Sequence, residues 1–263
     1  PGSGLLLSGQ TVYVKLRDGR TIYDLLFCSD VLRGICGGMK MANGTNPIGS
    51  APMPSTRARS AALVRSKFVA AQAYRQQLRD AGDDASKRPR RDLEMDALVE
   101  VLDGRRMVHF HTHRHDDILT AIRLAQEFGF RVVLHHVSEA WKVADEIAAA
   151  GVLSSIIVID SPGGKLEAMD LSNENGAALE RVGARVAFHT DDGITDSRFF
   201  LRSAAFGVRF GMSRDAALRA LTLAGAEYTV HGEFGAGEQA TSVLLPSFMV
   251  DVATLFAAAA PAP

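Results

Sequence analysis

The sequence has no apolar run near the roughly 20 residues that a membrane-spanning helix requires, so no membrane span is expected. Cysteine is scarce. Cys28 and Cys36 are the two in 263 residues, too few for a disulfide framework, and two free thiols are the expectation. Net charge is also nearly absent. Lys and Arg number 29 against 30 Asp and Glu, leaving −1 at neutral pH, so neither nucleic acid nor an anionic membrane is indicated as a partner. The one basic cluster (Lys87, Arg88, Arg90, Arg91) is diluted by Asp83, Asp84 and Asp92 and reads as a solvated link. No Gly-x-Ser-x-Gly nucleophile elbow is present. The stretch Ser161-Pro162-Gly163-Gly164-Lys165-Leu166 lacks the earlier glycine and the following Ser or Thr of a phosphate loop. An initiator methionine is missing too. The chain begins Pro1-Gly2-Ser3-Gly4 and is expected to be truncated, with any targeting segment upstream.

What is present is a long chain with 47% hydrophobic residues, enough for one large barrel or two ordinary domains. Thr11 to Leu16 alternates like a strand. Gly34 to Gly49 is rich in Gly, Asn and Pro and is expected to be mostly loop, with Lys40 placed as if at a strand end. Ser55 or Thr56 can cap a long helix whose apolar stripe is Ala61, Ala62, Val64, Phe68, Ala71 and Tyr74, and a second helix covers 93–102. From Arg106 the pattern is regular. Strands are expected at 107–111, 131–135, 155–160 and 185–189, with helices at 116–128, 138–149, 173–182, 197–210 and 213–224. Strands alternating with helices imply a parallel sheet. A closed β/α barrel is favoured over a doubly wound sheet, because polar residues follow strand after strand rather than gathering at one switch point. Beyond about His231 the rhythm stops.

The candidate chemistry lies at those strand ends. Residues 109–115 hold four of the eight histidines. On a strand, His109, His111 and His113 share one face, and imidazole is the commonest side-chain metal ligand. His111 is the leading ligand candidate. Of His135 and His136, one is expected to face the barrel, with His136 preferred because it lies nearer the mouth. His189-Thr190-Asp191-Asp192 ends the last strand, and a carboxylate there can ligate metal and take a proton from water. Asp191 is preferred over Asp192. Lys40 fits a salt bridge, an anion site, or a carbamate that bridges two metals.

The run Val108-His109-Phe110-His111-Thr112-His113-Arg114, followed by Asp116-Asp117-Ile118-Leu119-Thr120-Ala121-Ile122-Arg123-Leu124-Ala125, resembles the metal-dependent amidohydrolase superfamily, in its imidazolonepropionase-like and prolidase-like branch. Gly38 to Pro47, Pro54-Ser55-Thr56-Arg57, His136 with Glu139 to Glu146, and Phe188-His189-Thr190-Asp191-Asp192 are similar to it as well. The resemblance runs from about Pro1 to Glu227. It implies a TIM-type (β/α)8 barrel holding one or two divalent metals, zinc foremost. By position, His111 and His136 resemble the fifth- and sixth-strand ligands, Asp191 the eighth-strand aspartate that ligates metal and shuttles protons, and Lys40 the fourth-strand lysine carboxylated in binuclear members. Arg114 or His113 is then placed to hold a substrate carboxylate.

Two features depart from the superfamily. Its first-strand His-x-His pair has no counterpart, and the tail diverges near Gly237, as a frame change or truncation would produce. The expectation is therefore a partial α/β barrel over 1–232, lacking its first strand or strands and the flanking β-sandwich, with a divergent tail over 233–263. The implied activity is hydrolysis of a carbon–nitrogen bond other than an ordinary peptide bond, amide or cyclic amide, in a small-molecule substrate. The alternatives are an incompetent fragment or binding remnant, and an ester or lactone hydrolase on the same barrel. Sheet edges left open by missing strands invite pairing with another chain, so a homo-oligomer is compatible with this reading.

Overall fold

A computed structural model of the chain describes residues 2–15, 17–28, 30, 34–48, 54–158 and 165–224, and the backbone of 239–241 and 249–251. The fold is mixed α/β. The chain divides into two units, residues 1–225 and 226–263. In chain order the first unit contains β1 (Leu7–Gln10), α1 (Ile22–Leu25), β2 (Met39–Ala42), α2 (Thr45–Ile48), α3 (Arg57–Ala81), α4 (Leu93–Leu102), β3 (Val108–Thr112) and α5 (His115–Phe128). It continues with β4 (Val132–His136), α6 (Ala144–Ala150), β5 (Leu153–Ile156), α7 (Asn175–Arg181), β6 (Arg185–Phe188), α8 (Arg202–Arg209) and α9 (Arg214–Leu221). The second unit shows β7 (Gln239–Thr241) paired antiparallel with β8 (Met249–Asp251). The rest of the tail expected to diverge, and most of the 161–166 stretch, lie outside the described residues. Among the described residues no helix is long and apolar enough to cross a membrane.

The six strands of the first unit form one sheet in the order β1-β2-β3-β4-β5-β6. β1 runs antiparallel to β2, and the other neighbours are parallel. The order never reverses, so the sheet has no switch point of the doubly wound kind. Helices cover one face. α3 starts where the Thr56 hydroxyl accepts the Arg59 N–H at 3.1 Å, and it buries Val64, Phe68, Ala71 and Tyr74 at helical spacing. Phe68 stacks on Phe128 and Phe130, with ring centroids at 5.1 and 4.9 Å. β3 sends Val108 and Phe110, both fully buried, into this layer. Each such side chain contributes about 1.5–3 kcal/mol. The opposite face of β3 is left to its histidines.

The N-terminal 48 residues differ from expectation in three places. The strand of the sheet is Leu7–Gln10, not 11–16. Residues 11–15 are extended, but their backbone partners are divided. Thr11 and Tyr13 donate to Gly38 and Cys36, while Lys15 and Tyr13 bond to Leu25 and Phe27, each at 2.8 Å; Leu16 lies outside the described residues. The same division corrects the free thiols. Tyr13 holds Cys36 and the neighbour of Cys28 along one edge, and Cys28 and Cys36 form a disulfide with Cα atoms 5.0 Å apart. A count of cysteines carries no information about such proximity. Third, the segment expected to be mostly loop contains β2 and α2. Gly37 and Gly38 serve close approach rather than a turn. A Cβ on Gly38 would lie 2.4 Å from the His109 ring and 2.6 Å from the Met107 carbonyl oxygen.

Gly38→Ala is therefore expected to destabilise the fold by about 1–3 kcal/mol, as overpacking against backbone does. Urea denaturation checks this, and a variant as stable as the unmutated protein would show that β2 is not clamped onto β3 at this point.

Candidate metal centre

Alternation along β3 turns His109 and His111 to the face away from the helices, and His113 follows just past the strand end. β4 lies alongside in register, His111 opposite His135 and Thr112 opposite His136. Regular alternation would turn His136 away from His135. Instead His136 has φ +70° and Val137 φ +41°, and the Val137 N–H donates back to the His135 carbonyl at 3.0 Å. This is a γ-turn of the rare positive-φ kind. Residues held there cost about 1–3 kcal/mol each, and the β-branched Val137 is a marked outlier. The turn is pinned. Val137 N–H also reaches the Thr112 carbonyl at 2.9 Å, and the Asn175 amide donates to the Val137 and Ser138 carbonyls at 3.2 and 2.8 Å. His136 thereby comes beside His111 and His113, while the His135 ring lies between His109 and His189, 6.4 Å from that of His136.

His111, His113 and His136 are buried, and each offers one ring nitrogen such that all three lie within 4.8 Å of one another. Their ring centroids are 4.7, 4.4 and 4.9 Å apart. Three imidazoles on one tetrahedral zinc stand roughly 5 Å apart, given zinc–nitrogen bonds of about 2.0–2.1 Å. The array continues through His136–His189 at 4.9 Å, His189–His135 at 5.1 Å and His135–His109 at 5.1 Å. The Tyr13 hydroxyl meets His109 Nε2 at 2.7 Å. Six of the eight histidines thus form one contiguous group.

The rings are individually oriented. His111 Nε2 lies 3.1 Å from the Asn46 amide nitrogen. His113 Nδ1 lies 2.7 Å from the Ser138 hydroxyl, and its Nε2 is buried with no hydrogen-bond partner. A bare, buried imidazole nitrogen is costly unless something binds it. With the neighbouring ring nitrogens, it fits a divalent cation. Burial is the first cause of low basicity throughout. It takes His111 down to about 2, with the charge of His113 and Lys40 adding to it. His113 falls to about 4, although Glu167 opposes the shift. His109 falls to about 4 and His189 to about 3, and His135 and His136 fall well below the ordinary value. All are neutral at pH 7, the state in which imidazole binds metal.

The other expected residues occupy distinct places. Lys40 is on β2 beside His109; burial lowers its pKa, and Asp191 pulls it back up. Asp191 is half exposed, with Oδ2 3.8 Å from His136 Nε2 and φ +48°. Asp192 turns away and accepts from the Ser197 N–H and hydroxyl at 3.2 and 3.0 Å. Arg114 grips Asp116 with two bonds of 2.9 and 3.0 Å at the surface. Sequence reasoning missed Glu167. Its Oε2 accepts from the Thr45 N–H at 2.6 Å and from Arg57 at 3.2 Å, while Arg57 also holds Asp117 at 2.8 Å. Gly44 makes room for that carboxylate: its φ is +74°, and a Cβ would lie 2.4 Å from Glu167 Oε2. A glycine before a helix was the only trace of this in the sequence.

The chain is similar to an amidohydrolase. The crystal structure of the amidohydrolase from Thermotoga maritima MSB8 superposes with a TM-score of 0.79 at 30% identity. The match covers 87% of this chain and 59% of that one, so the chain spans about three fifths of that protein's length. No protein-family model matches the sequence, and no curated protein matches it.

The lowered basicities fix the sign of the pH response. Unfolded histidines protonate below about pH 6.5, while the folded array stays neutral until near pH 4. Stability is therefore fully present above pH 6.5 and is lost as pH falls toward 4, at about 1.4 kcal/mol per pH unit for each histidine that stays neutral. Denaturant titration of chelator-treated protein at pH 7, 6 and 5 is expected to show a steep loss. A flat profile would contradict a buried neutral array.

Proposed function

We propose that the chain is the barrel portion of a metal-dependent hydrolase of the amidohydrolase type, cleaving a carbon–nitrogen bond, amide or cyclic amide, in a small-molecule substrate. The observation that carries this reading is the convergence of His111, His113 and His136 with a bare Nε2 on His113. The likeness to the Thermotoga maritima amidohydrolase supports it. The sequential strand order suits part of a (β/α)8 wall, with His111, His113, His136 and Asp191 near the carboxyl ends of strands, where barrel sites lie.

In this reading the ring nitrogens of His111, His113 and His136 would hold the ion, with zinc the preferred identity. A divalent ion supplies Lewis acidity that brings the pKa of water toward about 7. Asp191, close to His136 yet open to solvent, accepts the proton of the attacking water and returns it to the leaving nitrogen. Lys40 is where a carbamate would bridge to a second ion. Arg114 can exchange Asp116 for a substrate carboxylate, because an exposed ion pair is worth about 0–1 kcal/mol; His113, with one ring nitrogen on Ser138 and the other on the ion, is not free for that role.

Metal-loaded protein should hydrolyse members of a panel of N-acyl amino acids and cyclic amides. Asp191→Asn should lose about 10²–10⁴ of the rate while retaining its metal, and His111→Ala should lose both. Turnover of esters and lactones alone would change the bond type. Metal binding without hydrolysis of any panel member would make the chain a binding scaffold and sink the catalytic reading.

A further inference from the structure

The segment 165–168 that follows β5 grips α2 at two points. The buried Glu167 carboxylate accepts from the Thr45 N–H at 2.6 Å, and Lys165 Nζ donates to the Asn46 side-chain oxygen. An ammonium has only donors to offer, so it takes the oxygen of that amide. The amide nitrogen faces the other way, 3.1 Å from His111 Nε2. A single side-chain amide thus separates the Lys165 charge from a ring of the candidate metal centre. The charge is felt there, since it lowers the basicity of both His111 and His113. Three other cations of the region are engaged. Arg57 holds Asp117 and Glu167, Arg114 holds Asp116, and Lys40 is drawn by Asp191. Among the described residues Lys165 has no carboxylate partner, and its contact is the neutral Asn46.

We propose that Lys165 is a specificity-determining residue that binds a carboxylate of the substrate while the scissile carbonyl lies at the histidine centre, so that an anionic substrate is selected over its neutral counterpart. This rests on the hydrolase reading above. Arg114 reaches a carboxylate only by giving up both of its bonds to Asp116. Lys165 gives up a hydrogen bond to a neutral amide, and a charged acceptor makes the stronger bond. Its side chain is exposed, so the ammonium is open to an incoming anion. Glu167, buried against α2 two residues away, fixes the neighbouring backbone and so reduces the ordering that binding requires. The negative charge of Glu167 is countered by Arg57 and does not cancel that of Lys165.

The test compares N-acetylglycine with N-acetylglycinamide, which differ in charge and little in size. Binding of each to zinc-loaded protein is followed by ligand-observed NMR, and bound zinc per chain is measured on the same samples. The unmutated protein should favour the acid by about tenfold. Lys165→Met keeps the length and removes the charge. It should lose the preference with bound zinc unchanged, whereas Lys165→Arg should keep most of it. Circular dichroism checks that each variant is folded. A preference that survives in Lys165→Met, or that vanishes in Arg114→Gln instead, would overturn the inference. So would equal binding of acid and amide, or binding of neither, by the zinc-loaded unmutated protein. Failure of the unmutated protein to take up zinc is a separate result. It would overturn the metal reading, and the same comparison on metal-free protein then decides for or against Lys165.

Discussion

Six imidazoles packed ring to ring within about 5 Å cannot all carry charge. The rest of the site follows from that constraint. Burial strips each ring of its solvation, and every proton that entered would be repelled by its neighbours. The array is therefore a set of neutral nitrogen lone pairs, some tied to Tyr13, Asn46, Ser138 or Ser155 and some bare. A protein gains little stability from such a group, because an apolar filling would cost less. Its persistence at the ends of parallel strands is better explained by something that the lone pairs bind.

Around the array the chain accepts strain and buried charge. The γ-turn at His136 and Val137 departs from strand geometry to bring a second histidine of β4 into the site. Asn175 on α7 and Thr112 on β3 hold that turn, so the packing of two other elements stabilises the position of one candidate ligand. Arg57, at the start of α3, pairs with both Asp117 and Glu167. It ties the loop after β5 to α5 and to the long helix beside them. Asp117 is held above the ordinary carboxylate range by burial in spite of that partner. Breaking one arm would leave a buried carboxylate uncompensated, which costs far more than the pair contributes.

Much of this was legible in the sequence where periodicity carries the information. The βα rhythm from Arg106 onward, the capped helix after Thr56 and the common face of His109 and His111 all follow from spacings of two or 3.6 residues. What was not legible depends on tertiary approach. β2 was hidden because glycines that permit close strand packing look like loop composition. The disulfide required knowing that Tyr13 aligns two distant segments. His135 and His136 could not be resolved by alternation, because one positive φ overrides it. His113 was read as a substrate contact past the strand end, and the structure sets it beside His111 and His136. Glu167 reaches Thr45 and Arg57 from a short 3-10 turn, Leu166–Ala168, whose sequence carries no motif.

The most direct measurement is the anomalous diffraction of crystals grown with zinc. The account predicts a zinc peak about 2.0–2.1 Å from ring nitrogens of His111, His113 and His136. A well-ordered site with no peak there, or zinc bound elsewhere while these rings keep their present spacing, would contradict it.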